Sequence, residues 1–143
     1  MIMLKKIFLV GVVLLFLFES VFAIGIGPSK EIIDFEPNLE KKIEYYVINQ
    51  DIAPVNVLVY KRGDLMNIIE LENQTFEIGM DGTKVFDVLL KLPSSLPPGN
   101  NEVQIVASQL PGGDDDSGTV VTSLVNVVAR LIIKVPYEDQ YLK

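Results

Sequence analysis

The sequence predicts an all-β protein, an antiparallel β-sandwich of about seven to nine strands preceded by an N-terminal signal helix. Three observations predict it. From Ile24 onward, short β-branched or aromatic runs are punctuated by Gly, Pro, Asn and Asp. No window there sustains a helical period, while the strongest runs alternate apolar and polar residues. Finally, the chain of 143 residues has no cysteine, so its stability has to come from sheet packing rather than from disulfides.

The first element is the leader. Lys5 and Lys6 precede an apolar run from Ile7 to Phe18, and Val21 and Ala23 supply small residues at −3 and −1 of a cleavage point. Residues 1–23 therefore read as a secretory signal peptide, with the mature chain beginning at Ile24. A dozen or so apolar residues fall short of the roughly 20 that span a bilayer, which disfavours the alternative of a retained anchor. Ile7-Phe8 does not resemble a pilin-type processing site, and the lack of cysteine excludes a lipidated terminus. The expected location is secreted or extracytoplasmic, at the cell surface or in the periplasm.

The remainder is the size of one domain, assigned to residues 24–136, with 137–143 as a tail or linker. Without the leader the chain keeps 10 basic and 18 acidic residues, a net charge of −8 against −7 for the whole. Such a surface repels phosphate backbones and anionic lipid, so no nucleic-acid partner is expected, and no membrane contact except through the signal segment if it stays uncleaved. The absence of histidine and cysteine removes the commonest general base, the thiol nucleophile and the usual zinc ligands. Paired carboxylates remain available, but with no tryptophan and few aromatics there is little to build a sugar-binding cleft. The chain is read as non-catalytic, with no catalytic residues and no cofactor.

The strands follow in order. Ile24–Gly27 and Glu31–Phe35 flank Gly27-Pro28-Ser29, and Glu36-Pro37-Asn38 turns the chain. Lys41–Asn49 places Ile43, Tyr45 and Val47 on one face and Tyr46 and Ile48 on the other, the pattern of a strand inside a sheet. Val55, Val57 and Val59 mark the next strand, closed by Gly63-Asp64. Ile68–Leu71 and Thr75–Ile78 are short edge or crossover strands. Thr83–Leu92 buries Phe86, Val88, Leu90 and Leu92, and a Pro-rich segment, Pro93–Gly99, leads to a strand with Val103, Ile105 and Ala107 inward.

Thr119–Val135 reads as the longest strand, with Val121, Ser123, Val125, Val127, Ala129, Leu131, Ile133 and Val135 on the core face. Fully extended it would reach about 56 Å at ~3.3 Å per residue, so it should bend, bulge or serve two neighbours in succession. The expectation is a hairpin of its first half with Glu102–Leu110 and pairing of its second half with the N-terminal strand.

Phe76-Glu77-Ile78 to Gly82, Leu90-Lys91-Leu92-Pro93, Leu96-Pro97-Pro98-Gly99 and the closing Val135-Pro136-Tyr137 resemble immunoglobulin-like modules of archaeal and bacterial surface proteins. The same pattern is similar to the N-terminal domain of periplasmic pilus chaperones. That resemblance covers residues 24–136 and implies an immunoglobulin-like antiparallel β-sandwich. In pilus chaperones two basic residues at a domain cleft hold a client's carboxylate and a long edge strand completes the client's sheet. The resemblance implies such places for Lys30 near the first strand and for Arg130 or Lys134 on the last. No second domain to form the cleft is expected in this chain.

The functional expectation is a structural or protein-interaction module at the cell surface or in the periplasm, contacting a protein partner through Val121, Val125, Val127, Arg130, Lys134 and Lys30. One alternative is a pilus-chaperone-like protein that donates an edge strand to a secreted subunit. Another is a calcium-dependent binder using Asp114, Asp115 and Asp116, although these lack the alternating spacing of a dedicated loop and read better as a solvated hairpin tip. Asn73-Gln74-Thr75 matches the N-glycosylation sequon, making Asn73 a modification candidate. Lys41-Lys42 and Lys61-Arg62 read as strand-end solvation, and Tyr45, Tyr46 and Tyr60 as core or interface filling.

Overall fold

The computed structural model describes residues 1–15, 23–111 and 125–138. Helix α1 spans Ile2–Leu15. The strands are β1 (Ile24–Gly27), β2 (Lys30–Asp34), β3 (Glu40–Asn49), β4 (Val55–Arg62), β5 (Ile69–Glu70), β6 (Gln74–Ile78), β7 (Thr83–Lys91), β8 (Gly99–Gln109) and β9 (Asn126–Val135). A 3₁₀ turn, Met66–Ile68, leads into β5. Among the described residues no helix is long and apolar enough to cross a membrane.

Two sheets pack face to face. One has the order β1-β3-β7-β5 and the other β2-β9-β8-β4-β6. The architecture is an immunoglobulin-like sandwich, and the two-sided strand at Lys41–Asn49 lies inside its sheet, as its pattern predicts. Alternate residues of both sheets meet between them. Tyr45, Val47, Val57, Val59, Val88, Leu90, Val103, Ile105, Leu131 and Ile133 are all fully buried. Burying each such aliphatic side chain is worth about 1.5–3 kcal/mol, which is the term that stands in for disulfides here.

The N-terminal strand signals belong to opposite sheets. β1 pairs antiparallel with β3, whereas β2, two residues later, pairs with β9 in parallel. The chain crosses between sheets at Pro28-Ser29, after a cis Gly27-Pro28 peptide. This corrects two expectations. Ile24–Gly27 pairs with β3 and not with the last strand, and the sandwich is antiparallel everywhere among the described residues except at β2–β9.

The last strand also differs from its expected form. Its described part is the ten residues Asn126–Val135, shorter than the eleven of β8, and Val121 lies outside the described residues. Its neighbours do not share it in succession. β8 pairs along all of Asn126–Val135 while β2 pairs with Arg130–Lys134 on the other side, so no bend is needed to engage both. On its even-numbered face Asn126, Arg130 and Lys134 are exposed, while Ile132 is only 6% exposed.

Two polar side chains tie the sandwich ends. Asn49, 2% exposed, directs its amide group at the carbonyls of Ala53 (2.8 Å), Gly79 (3.0 Å) and Ile78 (3.2 Å), and its Oδ1 accepts from the Asp51 amide at 2.9 Å. It thereby satisfies carbonyls in the loop before β4 and at the end of β6. Lys61 reaches from β4 to the Ile69 carbonyl of β5 at 3.0 Å, linking one sheet to the other.

Candidate partner-binding site

The geometry of the site follows from parity along β9. The Gln109 amide donates to the Val125 carbonyl, so odd-numbered residues of β9 direct their backbone groups to β8. Even-numbered residues point theirs the other way, as the Arg130 amide to the Ser29 carbonyl and the Phe35 amide to the Lys134 carbonyl confirm. Pairing with β2 begins at Arg130. The amides and carbonyls of Asn126 and Val128 therefore face an edge where no strand pairs with them among the described residues.

The same parity sorts the side chains. Val125 and Val127 pack, partly buried, against the sandwich core, while Arg130 and Lys134 are exposed on the outer face. The sequence reading chose the odd-numbered valines, but the free backbone belongs to their even-numbered neighbours Asn126 and Val128. No signal in the sequence could have chosen them, because which parity carries the free backbone depends on the side of β9 that β8 takes.

Of the basic residues, Lys30 and Arg130 are brought together as direct register partners across β2 and β9. Lys134 is set apart, opposite Asp34, and lines an open recess of about 580 Å³ with Asn100, Gly99 and Tyr137. Arg130 is engaged within the chain. Its Nη2 and Nε donate to Glu102 Oε2 at 2.6 and 3.0 Å, and Gln104 Nε2 donates to the other carboxylate oxygen at 2.9 Å. Arg130 first, and then Gln104, hold the Glu102 carboxyl below its ordinary pKa. Gln104 in turn accepts from Arg62 Nη2 and Nε at 2.7 and 3.0 Å.

The other candidates are placed as follows. Asn73 is exposed immediately before β6, and Thr75 of its sequon is exposed within that strand. Asp114, Asp115 and Asp116 lie outside the described residues. Among the described residues no three acidic side chains converge as metal ligands. Lys42 is ion-paired to Asp87 at 2.8 Å. Tyr45 is core, stacked on Phe86 at 6.0 Å between ring centroids, whereas Tyr46 is 44% exposed and Tyr60 is half-buried.

No family model and no curated protein matches the sequence. The fold, in contrast, is similar to that of the N-terminal immunoglobulin-like domains of periplasmic pilus chaperones. The E. coli chaperone DraB aligns at a TM-score of 0.57 and 16% identity, over 82% of this chain and 57% of its own. A Salmonella enterica SafA pilin–SafB chaperone complex aligns at 0.57 and 12%, over 84% of this chain and 57% of the other. The chain thus spans little more than half the length of these chaperones. A PapD-like domain of human CEP192 aligns at 0.55 and 11%, over 80% of this chain and 87% of that domain.

Proposed function

We propose that the chain is a non-catalytic protein-interaction module acting outside the cytoplasm, which binds its partner by strand addition at β9. The observation that carries this reading is the backbone of Asn126 and Val128, which no strand pairs on its outward side among the described residues although β9 is paired on both sides from Arg130 to Lys134. A fold shared with pilus chaperones supports it, as does the expected signal peptide. Val128→Pro removes one free donor and no ladder bond of the described fold. It should abolish copurification of the partner from the secreted fraction while leaving the melting transition in place. Retention of the partner by this variant would sink the proposal. Sequencing the native N-terminus tests the location: a start at Ile24 supports release, and a start at Met1 an anchored module.

The adjacency of Lys30 and Arg130 favours a narrower second reading, in which the partner is a client whose C-terminal carboxylate seats on this basic pair. Glu102 would have to yield Arg130 to it. Amidating the partner's C-terminus should then weaken binding, and unchanged affinity would exclude the carboxylate role without touching strand addition.

A further inference from the structure

The strand registers place more on the outer face of the five-stranded sheet than the basic pair. Lys30 on β2 is opposite Arg130 on β9, Arg130 is opposite Gln104 on β8, and Gln104 is opposite Arg62 on β4. These four residues form one row across four strands, and the three cations in it are exposed. With strands spaced by ~4.8 Å the row is about 14 Å long. Only Glu102 carries an opposing charge into it, through Arg130; Lys30 and Arg62 have no carboxylate within ion-pair distance among the described residues. In a chain with a net charge of −7 this local excess of positive charge is exceptional.

Apolar side chains border the row on both sides. Tyr60, Val106 and Val128 are register partners in the row above, and Ile32, Ile132 and Glu102 in the row below. Val106 and Ile132 lie outside the cluster that fills the sandwich, and Ile32 is 51% exposed. Together the rows make a cationic stripe with an apolar margin on the Tyr60–Val128 side and, on the other, a margin in which Glu102 stands beside Ile132 and Ile32.

We propose that this face is a docking surface for an acidic, aliphatic polypeptide segment lying across β2, β9, β8 and β4. An extended segment lying between the stripe and the Tyr60–Val128 row sends successive side chains to its two sides, so acidic residues repeating about every 7 Å fall along the stripe while the aliphatic residues between them meet Tyr60 and Val128. Charge complementarity selects this occupant. An anionic bilayer would have to approach the acidic remainder of the chain as well, and a groove-binding strand would need backbone groups that a sheet face does not offer. The inference goes beyond strand addition, which uses the edge of β9, and rests on the carboxylate reading only in sharing Lys30 and Arg130.

The test uses the purified chain and a fluorescein-labelled decapeptide alternating Glu and Ile, amidated at its C-terminus and N-methylated at alternate residues so that it cannot add a strand. Fluorescence anisotropy should show saturable binding that falls about tenfold or more in Arg62→Glu and in Lys30→Glu, weakens with salt, and is unchanged in Asn126→Pro, which removes the other free edge donor and lies outside the stripe and its margins. Arg62→Met, which keeps the side-chain length, should show an intermediate loss if Arg62→Glu fails to fold. No binding, or binding indifferent to both Arg62 variants, would overturn the proposal. So would cosedimentation of the protein with phosphatidylglycerol vesicles in the absence of any peptide binding. Loss of partner capture in Asn126→Pro with peptide binding intact would separate this surface from the edge.

Discussion

Tyr46 of β3 lies directly across Gly27 of β1, its ring occupying the space in which a side chain at position 27 would stand. A Cβ built there meets Tyr46 Cε1 at 2.8 Å and the outer ring atoms closer still. Ile48 covers Gly25 in the same way, with Cγ1 at 3.0 Å from a Cβ at that position. The Ile-Gly-Ile-Gly strand thus puts its isoleucines inward, and the two glycines borrow their outer cover from β3.

Replacing Gly27 with alanine should therefore destabilise the protein by about 1–3 kcal/mol, since the ring has to swing outward and lose its seat. Combining Gly27→Ala with Tyr46→Ala should cost less than the sum of the two single changes, because the clash disappears with the ring. Urea denaturation of the three variants checks this; strict additivity would contradict it.

Tyr45 Oη is buried without a hydrogen-bond partner among the described residues, and burial pushes its pKa from 10.0 up to about 12, with the Glu31 carboxylate adding to the rise. A folded value above the unfolded one favours the neutral phenol. Its contribution to stability is complete below pH 10 and is lost as the pH rises toward 12. Tyr45→Phe should be neutral or slightly stabilising at pH 7, within about 1 kcal/mol, and should flatten that alkaline loss. Thermal melts of both proteins across this range are the measurement.

Glu102 titrates in the opposite sense. Its folded pKa lies below the ordinary 4.5, so the stabilising charge is fully present above that value and disappears as the pH falls through and below it. Glu102→Gln should melt below the parent protein at neutral pH, and the difference should close in acid. A gap that stays constant from neutral to acid pH would show that the Arg130 contact carries no net stabilisation.

Asn49→Ala leaves the Ile78 carbonyl buried, and those of Ala53 and Gly79 part-buried, without the donor that Asn49 supplies from inside the fold. Destabilisation of about 2–3 kcal/mol is expected, as for other buried polar groups that lose a partner. Asn49→Asp should be no better, because a carboxylate offers acceptors where donors are required. Chemical denaturation reads both variants.

Period-2 alternation made most of the sandwich legible in the sequence. Ile43, Tyr45 and Val47, or Phe86, Val88 and Leu90, declare their inward face without any knowledge of neighbours. Pairing was not legible, because alternation says which face is buried and not which strand lies alongside. Gly27-Pro28-Ser29 reads as an ordinary turn, yet it carries the chain from one sheet to the other, and that switch sets β2 beside β9. The cationic row depends on three separate registers, so Lys30, Arg62, Gln104 and Arg130, far apart in sequence, could not be assembled before the strands were placed. The free backbone of Asn126 and Val128 was hidden for the same reason.

The parallel pairing of β2 with β9 gives the module a mechanical character. A load entering ahead of β2 and leaving after Val135 pulls these two strands in opposite directions along their length. Their hydrogen bonds then bear it together, in shear, instead of opening one at a time from an end. Built into a surface structure under tension, such a domain holds until the whole β2–β9 ladder fails at once, which single-molecule pulling would register as one sharp rupture.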